Sequence, residues 1–169
     1  MKLVSPDPEY AEAFASWRRD ADTIRYNPLA ASSTEALRER LAKAGSDLTQ
    51  LERSESFMWF IELDGNIVGQ VNLQSINRMM LTAEVGYMMD PKMRSRGLAT
   101  EGLKSLVQDV FAKTNLRKLI AYVHEENLAS RRVLNKVGFR EEGLLREHYL
   151  INGKPANEVI YGLLRGEVK

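Results

Sequence analysis

The spacing of apolar residues changes near position 57. Before it, Tyr10, Ala13, Phe14 and Trp17 recur at helical intervals and predict a helix over 8–19. Pro28 and the Ser32-Ser33 pair then interrupt the pattern. Ser32 followed by Glu35 is a capping-box signal, and the polar helix it opens is expected to run toward Arg53, with a break near Gly45-Ser46. From Phe57 onward the pattern becomes that of strands, over 57–63, 67–76 and 79–89, with Asp64-Gly65-Asn66 as a tight turn between the first two. Helical spacing returns over about 96–113, a strand follows over 117–124, and a helix over 128–137. Two final strands, 144–151 and 155–164, flank Asn152-Gly153, again a hairpin signal. A helix between the strands at 79–89 and 116–124 implies a parallel, right-handed crossover. The expected class is α+β, a mixed sheet with helices on its faces.

With 169 residues, the chain suits one sizeable core, and a single domain over 1–169 is expected. A net charge of +1 provides no global field for nucleic acid or an anionic membrane. The absence of cysteine excludes disulfides, thiolate metal sites and a cysteine acyl-enzyme. Two histidines, His124 and His148, without metal-ligand spacing, make a metal site an unfavoured expectation. The first residues lack the apolar core of a signal peptide, and no run approaches the roughly 18 apolar residues of a membrane span. A cytoplasmic protein is the default.

The chemistry concentrates at Arg94-Ser95-Arg96-Gly97-Leu98-Ala99-Thr100-Glu101, between a predicted strand and a predicted helix. Glycine and small residues at such a junction bring bare N–H groups to a helix N-terminus, where the helix dipole favours an anion. Arg94 and Arg96 add positive charge, so the site suits a pyrophosphate. The spacing fits neither a Walker loop nor a dinucleotide fingerprint, because Ala99 and not glycine follows Gly97 by two. It fits Gln/Arg-x-x-Gly-x-Gly/Ala, filled by Arg94, Gly97 and Ala99. About 30 residues on, Asn127 is a good N-cap and Gly138 a good helix terminator. Between them Asn127, Ser130, Arg131 and Leu134 share one helical face, joining an amide, a hydroxyl and a cation.

These two motifs in this order resemble the GNAT N-acetyltransferases. The run Gly-Phe-Arg-Glu-Glu-Gly over 138–143, then Ile151-Asn152-Gly153 and Tyr161-x-Leu-Leu-Arg165, resembles the RimJ/RimL-type branch, the ribosomal-protein N-terminal alanine acetyltransferases. The resemblance spans roughly Phe57 to Arg165. It implies a mostly antiparallel twisted sheet of six to seven strands, a central parallel pair splayed for the cofactor, and about four helices. It implies acetyl-coenzyme A as cofactor, with no metal, and a primary amine as acceptor. Backbone around Arg96, Gly97, Leu98, Ala99 and Thr100 would hold the pyrophosphate, with Arg94 beside it. Pantetheine would run along Met88 and Met89, Asn127 would bind its side, and Arg131 or Arg132 would approach the phosphates or adenine. A homodimer is compatible with the exposed edge strands.

An α-amine, with a pKa near 8, needs less help to become neutral than an alkyl amine near 10.4. A backbone N–H near Tyr87 to Met89 is the expected partner of the thioester oxygen. Many GNAT members place a tyrosine in the helix after the Asn to protonate the leaving thiolate, and here that place is Leu134. In the RimL-type branch a serine three residues after the Asn is the proposed substitute, and Ser130 fills it. Glu84, in Ala-Glu-Val-Gly-Tyr, is the candidate base, with Glu147, His148, Asn157 and Glu158 as further candidates for amine recognition. The branch's Asp-His pair after the last hairpin is replaced by Asn157-Glu158. The leading acceptor is a protein or peptide N-terminal amine. A small amine such as a polyamine, amino acid or aminoglycoside is the alternative, and a non-catalytic acyl-coenzyme A sensor is a third reading.

Overall fold

A computed structural model of the chain describes residues 1–27 and 29–168, so the Pro28 interruption lies outside the described residues. Seven strands form one sheet in the order β1-β2-β3-β4-β5-β7-β6. They are β1 (Lys2–Val4), β2 (Phe57–Leu63), β3 (Asn66–Asn77), β4 (Thr82–Met89), β5 (Lys118–His124), β6 (Arg140–Ile151) and β7 (Lys154–Leu164). The helices are α1 (Ala11–Arg19), α2 (Ala21–Tyr26), α3 (Thr34–Lys43), α4 (Leu98–Lys113) and α5 (Leu128–Val137). All neighbouring strands are antiparallel except β4 and β5, which α4 joins in parallel. This is the mixed sheet expected from the alternation, with five described helices where about four were expected.

The alternation sorts side chains onto two cores, because successive strand residues face opposite sides. Phe57, Trp59 and Ile61 of β2 join Val71, Val85, Leu119 and Val159 beneath Leu103, Leu106 and Val110 of α4 and Leu134 of α5. Met58 and Phe60 point the other way, into Phe14 and Trp17 of α1 and Leu37 and Leu41 of α3. That is why the 57–61 run is apolar without interruption: β2 is covered on both faces.

Turn chemistry closes the hairpins where it was expected. Asp64 (φ +51°) and Gly65 (φ +80°) join β2 to β3, and Asn152 (φ +50°) and Gly153 (φ +76°) join β6 to β7, as two-residue primed turns require. Four local expectations are corrected. Ser33 caps α3 and Ser32 does not, since Ser33 Oγ accepts the Ala36 N–H at 3.1 Å. That helix stops at Lys43, because Gly45 takes up a strand-like bridge to Phe57. β4 starts at Thr82, after a turn in which Leu81 has φ +52°. β6 starts at Arg140, ahead of the predicted 144.

α4 lies close to the sheet because residue 102 has no side chain. A Cβ on Gly102 would sit 2.4 Å from Ile61 Cδ1 and 2.9 Å from its Cγ1. Gly102→Val is therefore expected to lose about 1–3 kcal/mol through overpacking, read as a lower urea midpoint.

Candidate active site

The parallel pairing of β4 with β5 covers only Thr82↔Lys118, Ala83↔Leu119 and Glu84↔Ile120. Beyond Glu84 the strands part, although β4 continues to Met89 and β5 to His124. The opening leads into a cavity of about 570 Å³ lined by α2, the end of β4, the start of α4 and one side of α5.

One wall is the predicted anion loop. Gly97 caps α4 in the left-handed conformation (φ +81°, ψ −10°), with no side-chain cap bond. The first helical bond runs from the Glu101 N–H to the Gly97 carbonyl at 3.1 Å. The N–H groups of Leu98, Ala99 and Thr100 therefore precede any intrahelical partner, as at every helix start. At α2, α3 and α5 a side chain takes part of that role, from Asp20, Ser33 and Asn127. Only glycine reaches Gly97's φ without strain, and the space around it is open, so the donors at α4 face a free approach.

The opposite wall is α5. Asn127 Oδ1 accepts the Ser130 N–H at 3.1 Å, which leaves its Nδ2 donors for the cavity. Ser130 Oγ lies 2.6 Å from the Tyr87 hydroxyl of β4, and that hydroxyl also lies 3.1 Å from the Ser130 carbonyl. The sequence singled out Ser130 but not the Tyr87 side chain. The alternation Val85-Tyr87-Met89 places Tyr87 on the α4–α5 side, but its partner is 43 residues away and no local spacing marks it. Desolvation pushes the Tyr87 phenol up to about 12, against the Ser130 bond and with help from Tyr161. It stays protonated at working pH. The Ser130 carbonyl can only accept, so while Tyr87 gives it its one proton Ser130 Oγ donates to the Tyr87 oxygen; turning the Tyr87 proton onto Ser130 Oγ instead frees the serine's own proton for the cavity.

Met88, Met89, Leu98, Ala99, Thr100, Asn127 and Ser130 line this one space together with Arg94 and Gly97. Arg96 is exposed and does not line it. The Arg94 guanidinium turns to α2, 2.7 Å from Asp20 Oδ2 and 2.9 Å from Thr23 Oγ1. Arg131 is also committed elsewhere, to the Tyr161 hydroxyl (3.1 Å), the Glu125 carbonyl (3.2 Å) and Glu141 (2.9 Å). Its neighbour Arg132 lines the cavity, as does Lys136 one turn on. Helix α2 was not foreseen, yet its Asp22, Thr23 and Tyr26 complete the lining.

Glu84 is outside this cavity, on the α1–α3 side of the sheet at the last paired step of β4 and β5. Both its oxygens are held, Oε1 by Gln74 Nε2 at 2.9 Å and Oε2 by Ser75 Oγ at 3.0 Å. Ser75 reaches it from an irregular step of β3 at φ +51°. Glu158, on β7, is held above the ordinary carboxylate range by desolvation, with His148 opposing and Glu84 reinforcing. His148 stacks on Tyr122 and lies 3.7 Å from Glu158. Glu147 gives its N–H to Asn157 Oδ1 at 2.7 Å, and Asn157 Nδ2 reaches Glu125 at 3.0 Å. Among the described residues, no group of three or more His, Asp or Glu is placed to hold a metal, and no helix is long and apolar enough to cross a membrane.

The sequence profile of the acetyltransferase (GNAT) domain matches residues 1–140. The chain belongs to the GNAT acetyltransferase family. It is 36% identical over 107 residues to the probable N-acetyltransferase YjcK of Bacillus subtilis, covering 62% of this chain and 59% of that protein. It is 34% identical over 99 residues to the spermidine N(1)-acetyltransferase of Escherichia coli, covering 59% and 53%. The chain thus spans between half and three fifths of the length of these two relatives. In fold it matches RimL, a ribosomal L7/L12 α-N-protein acetyltransferase solved with coenzyme A, with a TM-score of 0.84, 18% identity, and 96% and 92% of the two chains covered.

Two predictions follow from the walls of this GNAT cavity. Burial pushes the Asp20 carboxyl up, but the bonds from Arg94 and Thr23 outweigh it and hold its pKa below the ordinary value. The tie from α2 to the loop is then full above the unfolded carboxylate pKa and is lost as pH falls through the lower folded value. Asp20→Asn should flatten the acid limb of the unfolding midpoint, and an unchanged limb would refute the tie. On the alkaline side, a phenol raised from 10.0 to about 12 costs stability as pH rises from 10 to 12, because the unfolded chain ionises first. Tyr87→Phe should remove part of that loss, Tyr149, also pushed up to about 12 by desolvation, supplying the rest.

Proposed function

We propose that this acetyltransferase is a single domain over 1–169 that uses acetyl-coenzyme A to acetylate the N-terminal amine of a protein or peptide. The observation that carries the reading is one continuous cavity, from the unpaired N–H groups at the start of α4 to the Ser130–Tyr87 pair between the parted strands. Its residues fit the cofactor's parts. Backbone donors and the Gly97 turn suit a pyrophosphate, Arg132 and Lys136 suit further phosphate charge, and Asn127 Nδ2 suits an amide chain. When bound, acetyl-coenzyme A supplies an activated acetyl group and a thiol leaving group.

The chain's own residues then divide the work. Ser130, polarised by the Tyr87 hydroxyl, holds a proton toward the cavity for the departing sulfur. An aliphatic hydroxyl is a weaker acid than even a phenol at about 12, so the proton that Ser130 passes to the sulfur is replaced from Tyr87, which acts through the serine. Backbone N–H groups of β4 past Glu84 have no β5 partner and can face the developing charge on the acyl oxygen. Glu84, fixed at the vertex of the opening by Gln74 and Ser75, is placed to receive the amine proton directly or through water. An α-amine near pKa 8 asks little of this carboxylate, which supports an N-terminal acceptor.

The similarity to a spermidine acetyltransferase supports a second reading, a small polyamine acceptor. Coenzyme A release measured against Ala- and Ser-starting peptides, N-blocked lysine peptides, polyamines and aminoglycosides separates the two. Turnover of free-N-terminus peptides is the expected result, and turnover of polyamines alone would replace this reading with the second. Ser130→Ala is expected to lower kcat roughly 100-fold. Tyr87→Phe should lower it roughly tenfold, as one lost hydrogen bond would, and leave cofactor affinity within about twofold. Equal kcat in all three proteins would remove the hydroxyl pair from the chemistry.

A further inference from the structure

A second, smaller cavity of about 270 Å³ opens on the α1–α3 side of the sheet, between the end of α3 and strands β2 and β3. Its polar lining is Arg40, Lys43, Ser56, Asn72 and Gln74. Three features bear on what it holds.

The first is a chain of side-chain amides along β3. Gln70 Nε2 donates to Asn72 Oδ1 (3.2 Å), Asn72 Nδ2 to Gln74 Oε1 (3.1 Å), and Gln74 Nε2 to Glu84 Oε1 (2.9 Å). Each primary amide has two N–H donors and the chain uses one of each, so a second donor on each amide remains for an acceptor oxygen. Gly86 faces this chain, and a Cβ there would come within 2.7 Å of Asn72 Oδ1. Glycine at 86 is what leaves the ladder room beside β4.

The second is uncompensated positive charge. Arg40 and Lys43 stand in the last turn of α3 and form no ion pair among the described residues. Arg18 of α1 lies close enough to be repelled by Arg40, which, after burial, lowers its pKa. Arg40 and Lys43, lining the cavity without an ion-pair partner among the described residues, suit an anionic partner.

The third is the ladder's far end. It finishes on Glu84, at the last paired step before β4 and β5 part. The surface is thus negative at the vertex and positive at α3, with amide donors between.

We propose that the second cavity is a recognition subsite of the acceptor. It takes a carboxylate, either an amino acid's own or an acidic side chain early in a peptide, while the attached amine lies at Glu84. This rests on the acceptor amine approaching at Glu84, as in the proposed function. A polyamine carries positive charge at every binding group and meets Arg40 and Lys43 as repulsion, so the subsite selects acidic acceptors over polyamines.

The test is coenzyme A release with matched acceptors. One arm compares an Ala-starting peptide carrying Glu at its second and third positions with the same peptide carrying Gln. The other compares free alanine with ethylamine, and spermidine is the all-cation control. Each is run on the natural protein and on the Arg40→Glu/Lys43→Glu double variant, whose changes are both exposed on α3. The expected result is a roughly tenfold higher kcat/KM for the acidic member of a pair. The double variant should abolish that ratio while holding the neutral member within about twofold, and cofactor affinity should not move. Turnover confined to the alanine arm, with the acidic preference kept, would keep the subsite and sink the peptide reading. Peptide turnover indifferent to charge, in either protein, would keep the peptide reading and sink the subsite. Turnover of spermidine alone, or of nothing while the cofactor binds, would sink both.

Discussion

Strand pairing that stops short governs this structure. β4 and β5 share only three registered steps before they diverge, although each has residues to continue. Backbone N–H and C=O groups are obligatory hydrogen-bonding groups, so the diverging edges stay unpaired only where something else meets them. The groups assigned to the cofactor and to proton transfer border that opening or the cavity it leads into. The start of α4 stands at its mouth, Tyr87 and Ser130 meet across one wall, and Glu84 sits at its vertex.

The rest of the fold holds the strands apart and keeps the opening rigid. On one face α4 packs onto β2 through Gly102, which fixes the height of the helix N-terminus above β4. On the same face Leu134 of α5 is wholly buried, so the helix face carrying Asn127 and Ser130 is aimed at the gap. On the other face α1 and α3 bury Met58 and Phe60, and α2 reaches from their edge to Arg94. The two faces have separate tasks. The α4–α5 face carries the hydroxyl pair and the anion loop, and the α1–α3 face carries the carboxylates Glu84 and Glu158 with the amide ladder. A donor entering from one side and an amine from the other would meet at the vertex without competing for the same groups.

Much of this was legible in the sequence where the signal is local. The hairpins at Asp64-Gly65 and Asn152-Gly153, the uninterrupted apolar β2 and the α5 boundaries at Asn127 and Gly138 follow from turn geometry, two-sided burial and capping. The misses have physical reasons too. Ser32 and Ser33 are equally good caps until the chain direction selects one. β1 has three residues and acquires strand character only by pairing with β2. α2 has six, too few to stand without its Asp20 cap and the Arg94 tie.

The sequence by itself determined the glycine-capped start of α4 with its free N–H groups, because a glycine at a strand-to-helix junction and the small residues after it act through their own backbone. It also determined the amide-hydroxyl face of α5, since residues three apart on a helix must be neighbours. Only the tertiary structure decided how the flanking arginines meet the cavity: Arg94 lines it with its guanidinium turned to Asp20, Arg131 is drawn away to Glu141, and Arg132 is left to line it. It alone decided that Tyr87 meets Ser130 and that Gln74 and Ser75 clamp Glu84. Long, charged or hydroxyl-bearing side chains go to the partner that packing brings near, and such partners lie up to 74 residues away along the chain, where no periodicity reaches.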